Sequence, residues 1–353
     1  MVTSKYMKFL IVIILFVCIK AEAQLDLYIG NGGGVDLYVG EDLTIQAEGD
    51  VSNSAGAEIR FEASAIVGFP DFRLKGDFTN DLAGIYTLGT EKIRFNGSAL
   101  QNADFGGDNV YGIYTDNAAH VQITRNVTLT GDLEFVTGNI QSTDAAHITL
   151  ETTASATGAD NDSHNNGPIS KNFAAATNFV LPTGHGSSYN PISFEPDGAT
   201  ATTMKGTYYF TVPSSRSSLG AGLNNVSNLE QWDLVRTAGA EVGDVTLSWD
   251  ANSAVGTHTD LVVAYWDGAL WQDGGGAAHT GNAAAGTVKS NTISTFGNKF
   301  TLASTTANNS LPVELIEFEA VKNTNEKDVD VLWKTASEIN SDYFVIERSQ
   351  NGT

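Results

Sequence analysis

Three groupings of side chains in this chain have the residue types that chemistry needs. The first is a set of aspartates preceded by glycine, Gly49-Asp50, Gly76-Asp77 and Gly131-Asp132, with Arg73, Lys75 and Arg125 near them in sequence. Carboxylates beside a basic residue are what an acid–base polysaccharide lyase or hydrolase uses, and a row of them is a ladder for cations or sugar hydroxyls. The plainer reading is preferred: a Gly-Asp corner needs positive φ and a short side chain that bonds its own backbone, and repeated turn chemistry requires no ligand. The second grouping is Asp160-Asn161-Asp162, whose two carboxylates are candidate Ca2+ ligands. It lacks the third acidic position, the correctly offset glycine and the distal glutamate of a calcium loop, so a solvated turn is the preferred reading. The third is a set of indoles, Trp232, Trp249, Trp266 and Trp271, among which Trp266 and Trp271 are the candidate pair for stacking on a carbohydrate. At strand positions large aromatics more often fill the space between two sheets, and that reading is preferred here too.

Weaker signals are set aside on physical grounds. His185 lies between glycines beside Ser187 and Ser188, but neither serine has a strand-to-helix elbow and no carboxylate is placed with them. Gly32-Gly33-Gly34 is followed by no helix start and no Gly-Lys-Ser/Thr, so it reads as a turn and not a phosphate loop. The remaining histidines show no metal-ligand spacing. No catalytic residue is assigned, and the chain leans away from being an enzyme.

The elements that would position these groups are short strands. In Val127-Thr-Leu129-Thr-Gly131-Asp132-Leu133-Glu-Phe135, apolar residues alternate with polar ones on either side of a Gly-Asp corner, the pattern of two strands with one buried face. The string returns at Phe72, Leu74, Gly76, Asp77, Phe78 and at Ile45, Ala47, Gly49, Asp50, Val51, with a degraded copy at Ala103-Asp104-Phe105. Gly49 to Gly76 is 27 residues and Gly76 to Gly131 is 55, almost two such periods, which is the mark of a solenoid. Stacking coils would place Asp50, Asp77 and Asp132 on one edge and turn Leu74, Phe78, Leu129, Leu133 and Phe135 inwards. The expected fold is all-β: a parallel, β-helix-like solenoid over 24–155, a polar linker over 156–167, a β-sandwich over 168–303 and a second linker over 304–310. In the sandwich, Leu261 to Trp266 and Ala269 to Gln272 read as a hairpin around Asp267-Gly268.

Composition sets the destination. Lys5 and Lys8 precede an apolar run from Phe9 to Ile19, and Ala21-Glu22-Ala23 has the form of a signal-peptidase site, so residues 1–23 read as a signal peptide. A lipid anchor at Cys18 is disfavoured by the bulk of Val17. Cleavage removes Lys5, Lys8, Lys20 and Glu22 from 19 basic and 41 acidic side chains, leaving 16 and 40, a net charge of −24. That field repels nucleic acid and anionic lipid. The only cysteine leaves with the signal, so burial and sheet hydrogen bonds must hold the fold.

The tail is more specific. Leu311-Pro312-Val313-Glu314-Leu315-Ile316-Glu317-Phe318, followed by Val331-Leu332-Trp333-Lys334-Thr335-Ala336-Ser337-Glu338-Ile339-Asn340 and Tyr343-Phe344-Val345-Ile346-Glu347-Arg348-Ser349, resembles the fibronectin type III-like module that precedes the sorting domain of Bacteroidetes proteins exported by type IX secretion. More loosely, Asn96 through Ile140 looks like the repetitive solenoid segments of large surface proteins from these bacteria, and Glu230 to Arg236 with Val263 to Gly268 looks like the sandwich that follows them. The resemblance implies a location at or beyond the outer cell surface, passage through the export machinery of the outer membrane, and contacts with extracellular glycans or other surface proteins. It implies no catalytic residue. Because the family's module has seven strands and this chain stops after the third, 311–353 is expected to be a truncated fibronectin type III-like domain in a fragment of a longer protein. A non-catalytic adhesin, matrix or stalk role leads; a β-helix polysaccharide lyase or hydrolase, or a carbohydrate-binding module, is the alternative.

Overall fold

The computed structural model describes residues 27–29, 37–39, 44–53, 58–61, 71–81, 85–87, 90–294, 296, 298–306, 315–322 and 329–335. The expected signal peptide with Cys18, most of the linker 304–310, and the tail strand at Tyr343 to Ile346 lie outside the described residues. The fold is all-β, and its first half is a parallel solenoid with three strands per coil.

The first face stacks Leu27–Ile29, Val51–Asn53, Phe78–Asn80, Gln101–Asp104, Val121–Ile123, Ile140–Gln141, Asn165–Asn166 and Thr183–His185. The second stacks Leu37–Val39, Glu58–Phe61 and Ile85–Thr87, and then Asn109–Val110, Val127–Leu129, Ile148–Leu150 and Ile169–Phe173. The third stacks Thr44–Ala47, Asp71–Leu74, Lys92–Phe95, Gly112–Asp116, Asp132–Thr137 and Ser155–Thr157. Parallel pairing puts like positions in rows: Phe72, Ile93, Ile113 and Leu133 stand side by side, all buried. Leu74, Phe78, Leu129 and Phe135 also face inwards, as the alternation predicts.

The coil length is not constant, and this corrects the aspartate edge. Ile45 stands beside Phe72, 27 positions on, whereas Phe72 stands beside Ile93, only 21 on. The corners at Gly49-Asp50 and Gly76-Asp77 both lead from the third face to the first, but Gly131-Asp132 leads from the second face to the third. Asp132 therefore lies on a different edge from Asp50 and Asp77. The string at Ala103-Asp104-Phe105 is no corner copy either, because Ala103 pairs with Phe78 within the ladder.

The polar stretch expected as a linker is itself a coil. Ser155–Thr157 and Asn165–Asn166 continue the third and first faces, and Ser163, His164 and Asn165 are buried. Apolar content was a poor guide here because these side chains are satisfied across coils: Ser163 Oγ donates to the Gly138 carbonyl at 3.0 Å, and the His164 N–H donates to Asn139 Oδ1 at 3.0 Å. The solenoid then passes into the sandwich inside one sheet. Ile169–Phe173, the last solenoid strand of the second face, pairs antiparallel with Thr202–Tyr209, which pairs with Gln231–Ala238, Asn298–Ser304 and Leu261–Trp266 in turn. An opposing sheet of Phe179–Leu181, Ile192–Pro196, Gly243–Trp249, Gly286–Lys289 and Ala278–Gly281 completes the sandwich. Phe194, Trp232, Leu247 and Phe300 fill the space between the two sheets and belong to one apolar cluster with the solenoid interior.

The hairpin at Asp267 has a four-residue loop and not a two-residue one, since Trp266 pairs with Trp271 and Asp267 Oδ1 accepts from the N–H groups of Ala269 and Leu270. In the tail, Leu315–Lys322 pairs with Val329–Thr335, and Phe318 opposite Trp333 is 59% exposed against 40% for the indole. No helix among the described residues is long and apolar enough to cross a membrane.

Candidate functional site

The aspartates of the corners serve the backbone. Asp50 Oδ1 accepts the N–H of Asp77 at 2.8 Å, and Asp77 in turn accepts the N–H of Asn102 at 2.7 Å and its side-chain amide at 3.0 Å. Each carboxylate thus caps the coil above it. Asp132 is held by Ser155 Oγ at 2.7 Å and Lys92 Nζ at 3.2 Å. Arg125 pairs with Asp104 at 3.0 Å. Asp77, Asp132 and Arg125 thus each have separate partners, Asn102 for the first, Ser155 and Lys92 for the second and Asp104 for the third.

Asp160 and Asp162 form a tight turn in which Asp160 Oδ1 accepts the Asp162 N–H at 2.9 Å. Both are exposed, and the histidine that meets the turn, His164, puts its Nδ1 3.0 Å from the Asp160 carbonyl and not on the carboxylates; among the described residues no group of three or more such ligands could hold a metal. Trp271 is wholly buried, with its Nε1–H donating to the Ser214 carbonyl at 3.1 Å, and Trp266 is half-buried against it with ring centroids 5.5 Å apart. This corrects the exposed two-indole platform: the segment around Leu219 and Leu223 packs over the outer face of the sheet and encloses Trp271 in a second apolar cluster. His185 pairs across a hairpin with Ser188, whose Oγ accepts from Asn252, so Ser188 and His185 form no nucleophile–base couple.

The third face of the solenoid presents a row of polar and charged side chains. Its inward residues alternate with one straight outward row, Gln46, Arg73, Arg94, Tyr114, Glu134 and Thr157, in register from strand to strand. The Arg94 guanidinium lies over the Tyr114 ring, 4.2 Å from its centroid. Lys75 pairs with Glu48 at 2.6 Å, and Gln46 and Asn96 exchange long hydrogen bonds of 3.3 and 3.4 Å. Gly112 leaves a gap in the neighbouring row, through which Lys92 reaches Glu134 at 2.7 Å as well as Asp132. Burial works against the charge of Lys92, but the bonds and fields of Glu134 and Asp132 outweigh it and hold its pKa above the ordinary lysine value.

Two buried ionisable groups escaped the reading of the sequence. Glu230 is fully buried, with one oxygen accepting from Tyr208 Oη at 2.9 Å, and burial pushes its pKa up to about 7 against the opposing hydrogen bonds of Ser253 and Tyr208. Asn190 joins this group by donating to Tyr208 Oη at 3.0 Å, while its carbonyl accepts from Trp232 Nε1 at 2.9 Å. Lys171 sits in the seam between solenoid and sandwich, donating to the carbonyls of Glu151, Thr152 and Ala154, and burial draws its pKa down to about 8. Arg94 and Tyr114 were missed as well, although Arg73 and Lys75 were noted. The signal was available: Phe72-Arg73-Leu74 and Ile93-Arg94-Phe95 carry the same alternation with arginine at the outward position.

Comparison of the chain with protein-family models, with curated proteins and with solved structures finds no match in any of the three.

Proposed function

We propose that this chain is a non-catalytic exported surface protein, acting as a stalk or adhesive segment. The observation that carries the reading is the unbroken passage of the coil stack into the sandwich through the pairing of Ile169–Phe173 with Thr202–Tyr209. A stack rising about 4.8 Å per coil, fused to a sandwich by a shared sheet, is a stiff extended body, as a spacer or adhesin requires. The groups an enzyme would deploy are spent on this body: Asp50 and Asp77 cap coils, Asp132 and Glu134 hold Lys92, and Asp104 holds Arg125. The resemblance of the tail to the module of type IX-exported Bacteroidetes proteins supplies the location, at or beyond the outer cell surface, and the outer-membrane export machinery as the partner in transit.

The test is expression of the full chain, joined to a type IX sorting domain, in a bacterium that has this secretion route. Protease applied to intact cells should remove the protein, and mass spectrometry should place its mature terminus at Gln24. Protection from protease, or a terminus at Met1, would refute the location.

A further inference from the structure

We propose that the chain cuts its own backbone between Asn190 and Pro191, the Asn190 side-chain amide attacking its own main-chain carbonyl carbon. The inference goes beyond the role at the cell surface and does not depend on it, since the substrate is the chain itself. Asn190 lies between the last hairpin of the solenoid, Thr183–His185 with Ser188–Tyr189, and the sandwich strand Ile192–Pro196. Its main-chain carbonyl oxygen accepts two hydrogen bonds, from Thr183 Oγ1 at 3.1 Å and from Trp232 Nε1 at 2.9 Å. Two donors on one carbonyl are the arrangement that stabilises an oxyanion. Its side-chain Nδ2 donates to Tyr208 Oη at 3.0 Å, and Tyr208 Oη donates to Glu230 Oε2 at 2.9 Å, a relay that ends on a carboxylate. Asn190, Thr183, Tyr208, Glu230 and Trp232 are all buried, so the carbonyl is shielded from water and its nucleophile must come from the chain.

Proline decides which cyclisation is open. Where another residue follows an asparagine, its main-chain nitrogen can attack the side-chain carbonyl and release ammonia; the nitrogen of Pro191 carries no hydrogen and cannot. The remaining route is attack by Nδ2 on the Asn190 carbonyl carbon. Oδ1 has no partner, so the amide is held through Nδ2 alone. As the Nδ2–C bond forms, the carbonyl becomes an oxyanion facing Thr183 and Trp232, and one Nδ2 proton passes to Tyr208 Oη while the phenolic proton moves to Glu230. Collapse of the oxyanion breaks the C–N bond to Pro191. The proton returns through Tyr208 to the proline nitrogen, leaving a C-terminal succinimide on one piece and a free amine terminus on the other. Water then opens the ring to asparagine or isoasparagine. Glu230 acts through Tyr208 as a positioning residue and must be ionised to take the proton; Tyr208, Ser253 and Asp250 face it, and burial sets its pKa at about 7. The two pieces stay together, because Ile192–Pro196 remains paired with Phe179–Leu181, and Thr202–Tyr209 with Ile169–Phe173.

The purified full chain, incubated at pH 8 for several weeks and followed by denaturing electrophoresis and intact-mass spectrometry, tests this. The expected products are a piece ending at Asn190, present as the succinimide and its two hydrolysed forms, and a piece beginning at Pro191, the two co-eluting under native conditions. Cleavage should run about tenfold faster at pH 8 than at pH 6, following the ionised fraction of Glu230. Glu230→Gln should slow it about a hundredfold and flatten that profile, and Thr183→Val, which removes one donor to the oxyanion at nearly constant volume, should slow it by about the same factor. Asn190→Ala should not cut. If the buried variants misfold, the parent in urea decides the matter, since the unfolded chain should cut at least about tenfold more slowly than the folded one. A folded parent that stays intact, a break at another bond, a terminus of ordinary asparagine alone, or a rate unchanged in urea or in Glu230→Gln would overturn the proposal.

Discussion

The solenoid and the sandwich bury polar groups by opposite means. In the solenoid a buried amide meets a like residue one coil away: Asn53 Nδ2 donates to Asn80 Oδ1 at 2.8 Å, and Asn80 donates onward to the Phe105 carbonyl at 3.0 Å. Asn117, one coil along, does the same for Gln101 at 2.9 Å. Repetition supplies the partner. The sandwich has no repeat, so Glu230, Tyr208 and Asn190 are joined by contacts that occur once; buried polar atoms without a partner occur in both regions, Thr115 Oγ1 and His164 Nε2 in the solenoid and Asn190 Oδ1 in the sandwich. Stacking lets a like residue in the next coil serve as the partner, whereas a two-sheet core must find each partner by a unique contact; in both regions a buried ionisable group, His164 or Glu230, has a displaced pKa.

Four substitutions probe this difference. Phe135→Asp should destabilise most, by about 5 kcal/mol, since it places an unpaired carboxylate in the apolar row of the third face. Urea unfolding measures it, and an unchanged midpoint would put Phe135 on the surface. Gly138→Ala comes next, at about 3 to 4 kcal/mol: φ is +76°, and a Cβ there would lie 1.8 Å from the Asn117 carbonyl oxygen of the adjacent coil. The same titration should show a loss well beyond that of a free turn, or the coils are not in close register.

Glu230→Gln tests the sandwich. Its carboxyl pKa rises from 4.5 to about 7 on folding, so the native state holds the proton more tightly. The resulting stability is fully present below pH 4.5 and is lost as pH rises to about 7, on the order of 2 to 3 kcal/mol over that window. The glutamine variant should lack this slope and be the more stable protein at pH 8. His164 in the solenoid works in the other direction: burial lowers its pKa, so its contribution is lost as pH falls below 6.5. Melting temperatures of parent and variant between pH 4 and 8 separate the two, and an identical slope in both proteins would remove Glu230 as its source. The smallest effect is expected at Gly268→Ala, about 1 to 2 kcal/mol, because φ is +103° but nothing lies within 4 Å of the added carbon.

Much of the solenoid was legible because alternation reports burial directly, and Phe72, Leu74, Leu133 and Phe135 carry it plainly. The register was not. Corners of identical sequence, Gly76-Asp77 and Gly131-Asp132, serve different edges because coil length shrinks between them, and no local signal records which face a strand belongs to. The stretch from Ser163 to Asn165 read as solvated because its burial depends on partners 23 to 25 residues away, at Gly138, Asn139 and Ser142. The row of Arg73, Arg94 and Tyr114 was half visible, since the periodicity marks the outward positions but the distance between like positions must be known before they align.

The continuity of the two regions is tested most directly by unfolding the full chain in urea with two probes. All five tryptophans lie outside the solenoid coils, at Trp232, Trp249, Trp266, Trp271 and Trp333, so in a Trp333→Phe background fluorescence follows the sandwich while far-ultraviolet circular dichroism follows both regions. A body joined by the Ile169–Phe173 and Thr202–Tyr209 ladder should lose both signals in one superimposable transition. Loss of dichroism at a urea concentration where the indoles keep their native emission would contradict it, and would make the solenoid and the sandwich separate domains.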